Sequence, residues 1–140
     1  MALIDKEYVG GLDTVLRTLQ SRVERLKEGY VRGLKRAGLL LQRESQKIVP
    51  VDTGNLKASA FTRLEGSGWK AAAIVGYTAI YAVWVHEAVG MRLKGIPRQG
   101  EGHGGRYWDP QGRAQAKFLE VPFRQLRDQF RAILVEEMKK

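Results

Sequence analysis

Cysteine is absent from this 140-residue chain. Disulfide scaffolds, thiolate metal sites and thiol catalysis are thereby excluded. Histidine occurs twice, too rarely for a multi-histidine zinc or iron site. Proline is sparse at four, and no apolar run approaches the roughly 20 residues that a membrane-spanning helix requires. The opening stretch Met1-Ala2-Leu3-Ile4-Asp5-Lys6-Glu7 puts acidic groups where a secretory leader needs an apolar segment, so the expectation is a soluble protein made in the cytoplasm. The rest of the composition suits a folded domain, with 44% hydrophobic and 28% charged residues. This length is enough for one compact domain, residues 1–140, and too little for two ordinary ones.

Positive charge is what the chain has in excess. Lys and Arg number 24 against 15 Asp and Glu, a formal net charge of +9. Residues 1–49 carry net +4 and residues 88–117 another +4, while residues 50–87 are neutral. Such a field favours phosphates or acidic protein surfaces, and it equally serves solubility.

Apolar residues recur at helical spacing from Leu12 through Leu16, Leu19, Val23, Leu26, Tyr30, Leu34, Ala37 and Leu41 to Ile48. Arg17, Arg22, Arg25, Arg32, Arg36 and Arg43 fall mostly off that stripe. Asp13 favours the positive end of such a helix, and Pro50 biases Val49 out of helical geometry. An unbroken helix over this span is on the order of 54 Å long, more than a domain of this size can bury. One half is therefore expected on its own sheet and the other on a neighbouring subunit. Gly29, Gly33 and Gly38 mark either bends or places where another backbone packs closely.

After Pro50, Asp52 or Thr53 is a natural cap for a short helix reaching about Ala60. Phe61–Glu65 and Trp69–Tyr77 read as strands joined by Gly66-Ser67-Gly68, in a hairpin or three-stranded sheet. Tyr81–Glu87 suits a short helix. Residues 88–113 form a long Gly-rich loop with seven glycines, in which Arg92, Lys94, Arg98, Arg106 and Arg113 are interleaved with Tyr107 and Trp108. A stretch of this kind is either a basic arm that orders on a partner or a mobile insertion. A final apolar stripe from Phe118 through Leu119, Phe123, Leu126, Phe130, Ile133 and Leu134 to Met138 reads as one C-terminal helix, expected to pack on the sheet. The fold class is α+β: a long N-terminal helix, a short helix, a small antiparallel sheet and a C-terminal helix.

The strings that suggest chemistry fail on context. Asp52-Thr53-Gly54 matches the aspartic-protease tripeptide but follows a long helix instead of an apolar strand. His86-Glu87 begins like a zinc-protease motif, yet Gly90 stands where the second histidine is required. The glycines of 100–105 lack the Lys-Ser/Thr ending of a phosphate loop. No catalytic residue, metal ligand or cofactor is assigned.

Three groups of residues are together more informative. Val49-Pro50-Val51-Asp52-Thr53-Gly54-Asn55-Leu56-Lys57-Ala58-Ser59 comes first, then Val75-Gly76 followed by Tyr81-Ala82 and Val85-His86-Glu87, then Gln115-Ala116-Lys117-Phe118-Leu119. In this order, across about residues 10–140, the chain resembles the minor capsid or tail-component proteins of long-tailed bacteriophages, the head–tail joining and tail-completion proteins. The resemblance carries over Pro50, Asp52, Thr53, Gly54 and Leu56 as structural residues following a long helix. Tyr81, Ala82, His86 and Glu87 match the segment before a variable loop, and Phe118 and Leu119 the start of the final helix. Many relatives have Glu followed soon by Gly-Thr and a short loop, whereas Glu87-Ala88-Val89-Gly90 opens a long one here.

The resemblance implies a structural protein of the virion neck. It would form a ring with copies of itself, six-fold in symmetry, between the head connector or portal and the tail terminator or tail tube. Genomic DNA passing through the channel is a further partner, faced by Arg92, Lys94 and Arg98. A rival reading is a small basic nucleic-acid-binding protein, in which Tyr107 and Trp108 stack on exposed bases. A virion-associated hydrolase is a third, with Glu87 as its candidate acid or base.

Overall fold

The computed structural model describes residues 6–51, 54–89 and 113–140. Helix α1 spans Lys6–Ile48 without interruption, 43 residues and about 64 Å. It begins earlier than Leu12 and ends as expected, where Val49 N–H still reaches Ser45 C=O at 3.0 Å and Pro50 follows. The three glycines do not break it. They are points of close approach: a Cβ on Gly29 would lie 2.5 Å from the Glu137 carbonyl oxygen, and one on Gly38 would lie 2.7 Å from the Thr62 methyl.

Helix α2, Asn55–Ala58, is entered through Gly54 in the left-handed region at φ 88°, and Ala58 N–H bonds Gly54 C=O at 2.9 Å. Asp52 and Thr53, the expected caps, lie outside the described residues. The helix stops before Ala60 because Ala60 already pairs as the first residue of strand β1. Strands β1, Ala60–Glu65, and β2, Ala72–Tyr77, form one antiparallel pair with Ala60 opposite Tyr77 and Glu65 opposite Ala72.

The second strand starts three residues later than its apolar pattern suggests. Gly68–Lys70 forms a 3-10 turn that carries Trp69 onto Tyr30 of α1, with ring centroids 5.6 Å apart. Stacking the indole on the long helix takes that residue out of the ladder. Helix α3 follows at Ala82–Glu87.

The C-terminal stripe is two helices, α4 at Glu120–Gln125 and α5 at Arg127–Lys139, separated at Leu126. The break leaves α4 against α1, lining an open groove with β2 and α3, while α5 runs along α1. The main partner of α5 is α1 and not the sheet, where the sequence had put it. The two helices are antiparallel: Gly29 meets Glu137 and Met138, and Gly33 meets Leu134. Missing Cβ atoms on α1 let the two backbones approach, which is why the helix prefers this groove. Toward the sheet, Phe130 and Leu134 line a small apolar cavity of about 150 Å³ together with Ala73 and Val75.

Glu137 locks this helix pair. Its side chain is only 6% exposed and is ion-paired with Lys140 at 2.7 Å, with Arg36 and with Arg32. Lys140 first and Arg36 next hold its carboxyl at about 2, against an ordinary 4.5. A carboxylate lowered in the fold takes up a proton more readily in the unfolded chain. Its contribution is therefore whole above pH 4.5 and is lost as pH falls toward 2. Glu137→Gln is expected to destabilise the protein at neutral pH and to flatten the loss of stability across that acid window, as read by urea denaturation at a series of pH values.

Candidate assembly surface

The residues singled out in three distant strings meet in one place. Val49, Leu56, Ala82 and Phe118 form a buried cluster, flanked by Ile48, Tyr77, Ala79, Val85 and Leu119. Phe118 is its centre, 1% exposed, with the rings of Tyr77 and His86 both edge-on to it at 5.0 Å. Burial raises the Tyr77 hydroxyl above its usual value, and that hydroxyl shares a 2.7 Å hydrogen bond with fully buried Ser45 of α1. Pro50 is buried beside this cluster in sequence, at the end of α1.

His86 and Glu87 are tied to the approach to α4. The Lys117 N–H donates to the His86 carbonyl at 2.7 Å, and Lys117 adopts a left-handed φ of 57° to do so. Its ammonium pairs with Glu87, and His86 Nδ1 lies 2.7 Å from the other Glu87 oxygen. The Lys117 hydrogen bond, then that of His86, holds the Glu87 carboxyl below the usual range, and Glu87 in turn raises Lys117. His86 Nε2 is buried and has no hydrogen-bond partner among the described residues. Nδ1 is committed to Glu87, and the His86–Glu87–Lys117 trio works as a latch closing α3 onto the α4 approach. Among the described residues no group of three or more acidic or histidine side chains is placed to hold a metal ion.

Beside the latch lies an open apolar groove of about 660 Å³ lined by Ile74, Val75, Val83, Leu119 and Phe123 among others. At the start of α3 and just before it, Ile80 is 94% and Trp84 78% exposed, while Tyr81 is exposed to a lesser degree. Arg113 is exposed at the edge of the described residues. Arg92, Lys94, Arg98, Arg106, Tyr107 and Trp108, the proposed partner-facing residues, lie outside them together with most of the 88–113 loop.

Among the described residues, a further exposed apolar surface lies on α1. Beyond the level of Gly29, where α5 ends its contact, the stripe runs on uncovered, from 37% exposed at Leu26 to 60% at Leu12. Val15, Leu16, Leu19 and Val23 lie between them, all exposed.

No family model, curated protein or solved structure matches this chain.

Sequence reasoning found Leu56, Ala82, His86, Glu87, Phe118 and Leu119, and the fold brings all six to one locus. It missed Ser45 and Tyr77, whose bond joins positions 32 apart with no local signal. It also gave Lys117 no role of its own. A lysine directly before a buried Phe-Leu pair, facing an isolated His-Glu, was the only available hint. No described helix is long and apolar enough to cross a membrane.

Proposed function

We propose that this chain is a structural subunit of the neck of long-tailed bacteriophages, a head–tail joining or tail-completion protein. Copies of it form a ring, six in number, between the head connector and the tail tube, and it performs no turnover. The observation that carries this reading is the half-length of α1 standing clear of its own fold with an apolar stripe exposed from Leu12 to Leu26. Contiguous apolar surface of that extent costs solubility and is characteristic of assembly contacts. Head-to-tail contacts repeated by rotation close into a ring. Convergence of the three resembling strings on the Phe118 cluster gives further support, since it makes them one structural unit.

Particles of a phage encoding the chain are expected to carry it at the neck, seen by antibody labelling or cryo-EM. Loss of the gene is expected to yield filled heads and separate tails. Absence of the protein from purified particles overturns the reading. Steeply salt-dependent DNA or RNA binding by the isolated protein, with no place in the virion, favours the basic nucleic-acid-binding rival instead. Glu87→Gln keeps hydrogen-bonding capacity toward Lys117 and His86 and is expected to retain head–tail joining. A folded Glu87→Gln protein that no longer joins heads to tails would point to chemistry at this carboxylate.

A further inference from the structure

The two edges of the β1–β2 hairpin are not equivalent. Thr78 N–H donates to Ser59 C=O at 3.0 Å and Ala60 stands opposite Tyr77. The hydrogen-bonded pairs of the ladder are therefore Phe61 with Gly76, Arg63 with Ile74 and Glu65 with Ala72. The residues between them, Ala60 and Thr62 on β1 and Ala73, Val75 and Tyr77 on β2, turn their backbone N–H and C=O groups outward. On β1, helix α1 attends to this edge: Gln42 Nε2 donates to Ala60 C=O, and the Thr62 hydroxyl donates to Gln42 Oε1 at 2.7 Å. On β2, no group among the described residues bonds the outward N–H or C=O of Ala73, Val75 or Tyr77. Nor does β2 carry the charge, proline or bulge that guards an exposed edge, since no charged residue or proline stands from Ala71 to Val85 and the register is unbroken.

This open edge is one wall of the apolar groove. Ile74 and Val75 point to opposite faces of the sheet, yet both line the groove, which therefore opens along the edge of the strand and not over either face. Helices α3 and α4 form the other wall through Val83 and Phe123, 69% and 56% exposed. The carboxylates on that wall, Glu87 and Glu120, are already paired with Lys117. We propose that the groove binds one extended strand of another polypeptide, uncharged and apolar at every second residue, which adds to β2 as the third strand of the sheet. Entering antiparallel, a stretch of about five residues exchanges a pair of hydrogen bonds with each of Ala73, Val75 and Tyr77. Its side chains opposite Ala73 and Val75 fall on the α1 side of the sheet, toward Leu41 and Phe123. The slot takes a lone strand: β2 of a second copy already carries β1 along its other edge, and α3 and α4 stand where that β1 would lie.

This site goes beyond the proposed function and is independent of it. A protein found at the phage neck whose β2 edge takes no strand refutes the site alone. One that takes the strand but is absent from particles refutes the neck alone.

The probe is a blocked peptide of alternating Thr and Val with a lysine at each end, added to the full isotope-labelled chain and followed by amide hydrogen exchange. In the free protein the amides of Ala73, Val75 and Tyr77 are expected to exchange faster than those of Ile74 and Gly76, which lie in the ladder. Peptide at millimolar concentration is expected to slow the first three by about tenfold or more. Methylating the peptide's Val amides, which face β2, is expected to abolish this protection, and methylating its Thr amides, which face away, to spare it. Val75→Pro removes one outward donor without touching the β1 ladder and is expected to weaken binding about tenfold. If that variant does not fold, the two methylated peptides decide. Slow exchange at all three amides in the free protein, no protection by the peptide, equal binding of the two methylated forms, or undiminished binding by a folded Val75→Pro chain overturns the proposal.

Discussion

Phe118→Ala is expected to lower the free energy of unfolding by about 4 kcal/mol, the largest effect of any single truncation here. Phe118 is 1% exposed and holds Tyr77 and His86 edge-on while packing with Val49, Leu56 and Ala82. Removing the ring leaves a void bordered by α1, the end of β2, α3 and the approach to α4, elements that the backbone cannot easily bring together. Guanidinium denaturation followed by far-UV CD measures the loss, and 1 kcal/mol or less would mean that the site collapses around the smaller side chain. Phe118→Leu retains much of the volume and is expected to cost less than half as much.

Gly29→Ala carries the second large effect, about 2 kcal/mol or more of destabilisation, although alanine is the better helix former by about 1 kcal/mol. The new methyl would lie 2.5 Å from the Glu137 carbonyl oxygen and 2.7 Å from Met138 Cα. These are backbone atoms, so relief requires α5 to move off α1 and weakens the Glu137 ion pairs with it. Gly11→Ala in the same helix meets nothing within 4 Å and is expected to stabilise by up to about 1 kcal/mol. Opposite signs for one substitution at two positions of one helix, measured by the same denaturation curves, test the packing account directly. Equal signs would refute it.

The α+β composition was legible because its cues are local. Spacing of leucines marked α1, Pro50 marked its end, and Gly66-Ser67-Gly68 marked the turn between β1 and β2. What escaped depends on contacts between distant positions. Trp69 reads as strand by residue type, and only the presence of Tyr30 on α1 draws it into a 3-10 turn. The stripe of α5 fits a sheet face or a helix equally well, and the small residues that decide between them, Gly29 and Gly33, lie about a hundred positions away. At the candidate site, the buried residues announced themselves as hydrophobic strings. The polar bonds that orient them, Ser45 to Tyr77 and Lys117 to Glu87, have no periodicity to betray them.

The continuity of α1 has a mechanical consequence. One end of the rod is gripped by the Phe118 cluster and α5, and residues 10–28 extend as a stalk of about 27 Å. A tilt of about 10° where the rod is gripped swings its tip by about 5 Å, roughly one helical turn. Adjustments too small to disturb the hydrophobic interior are therefore magnified at the far end into a change of which neighbour it can reach.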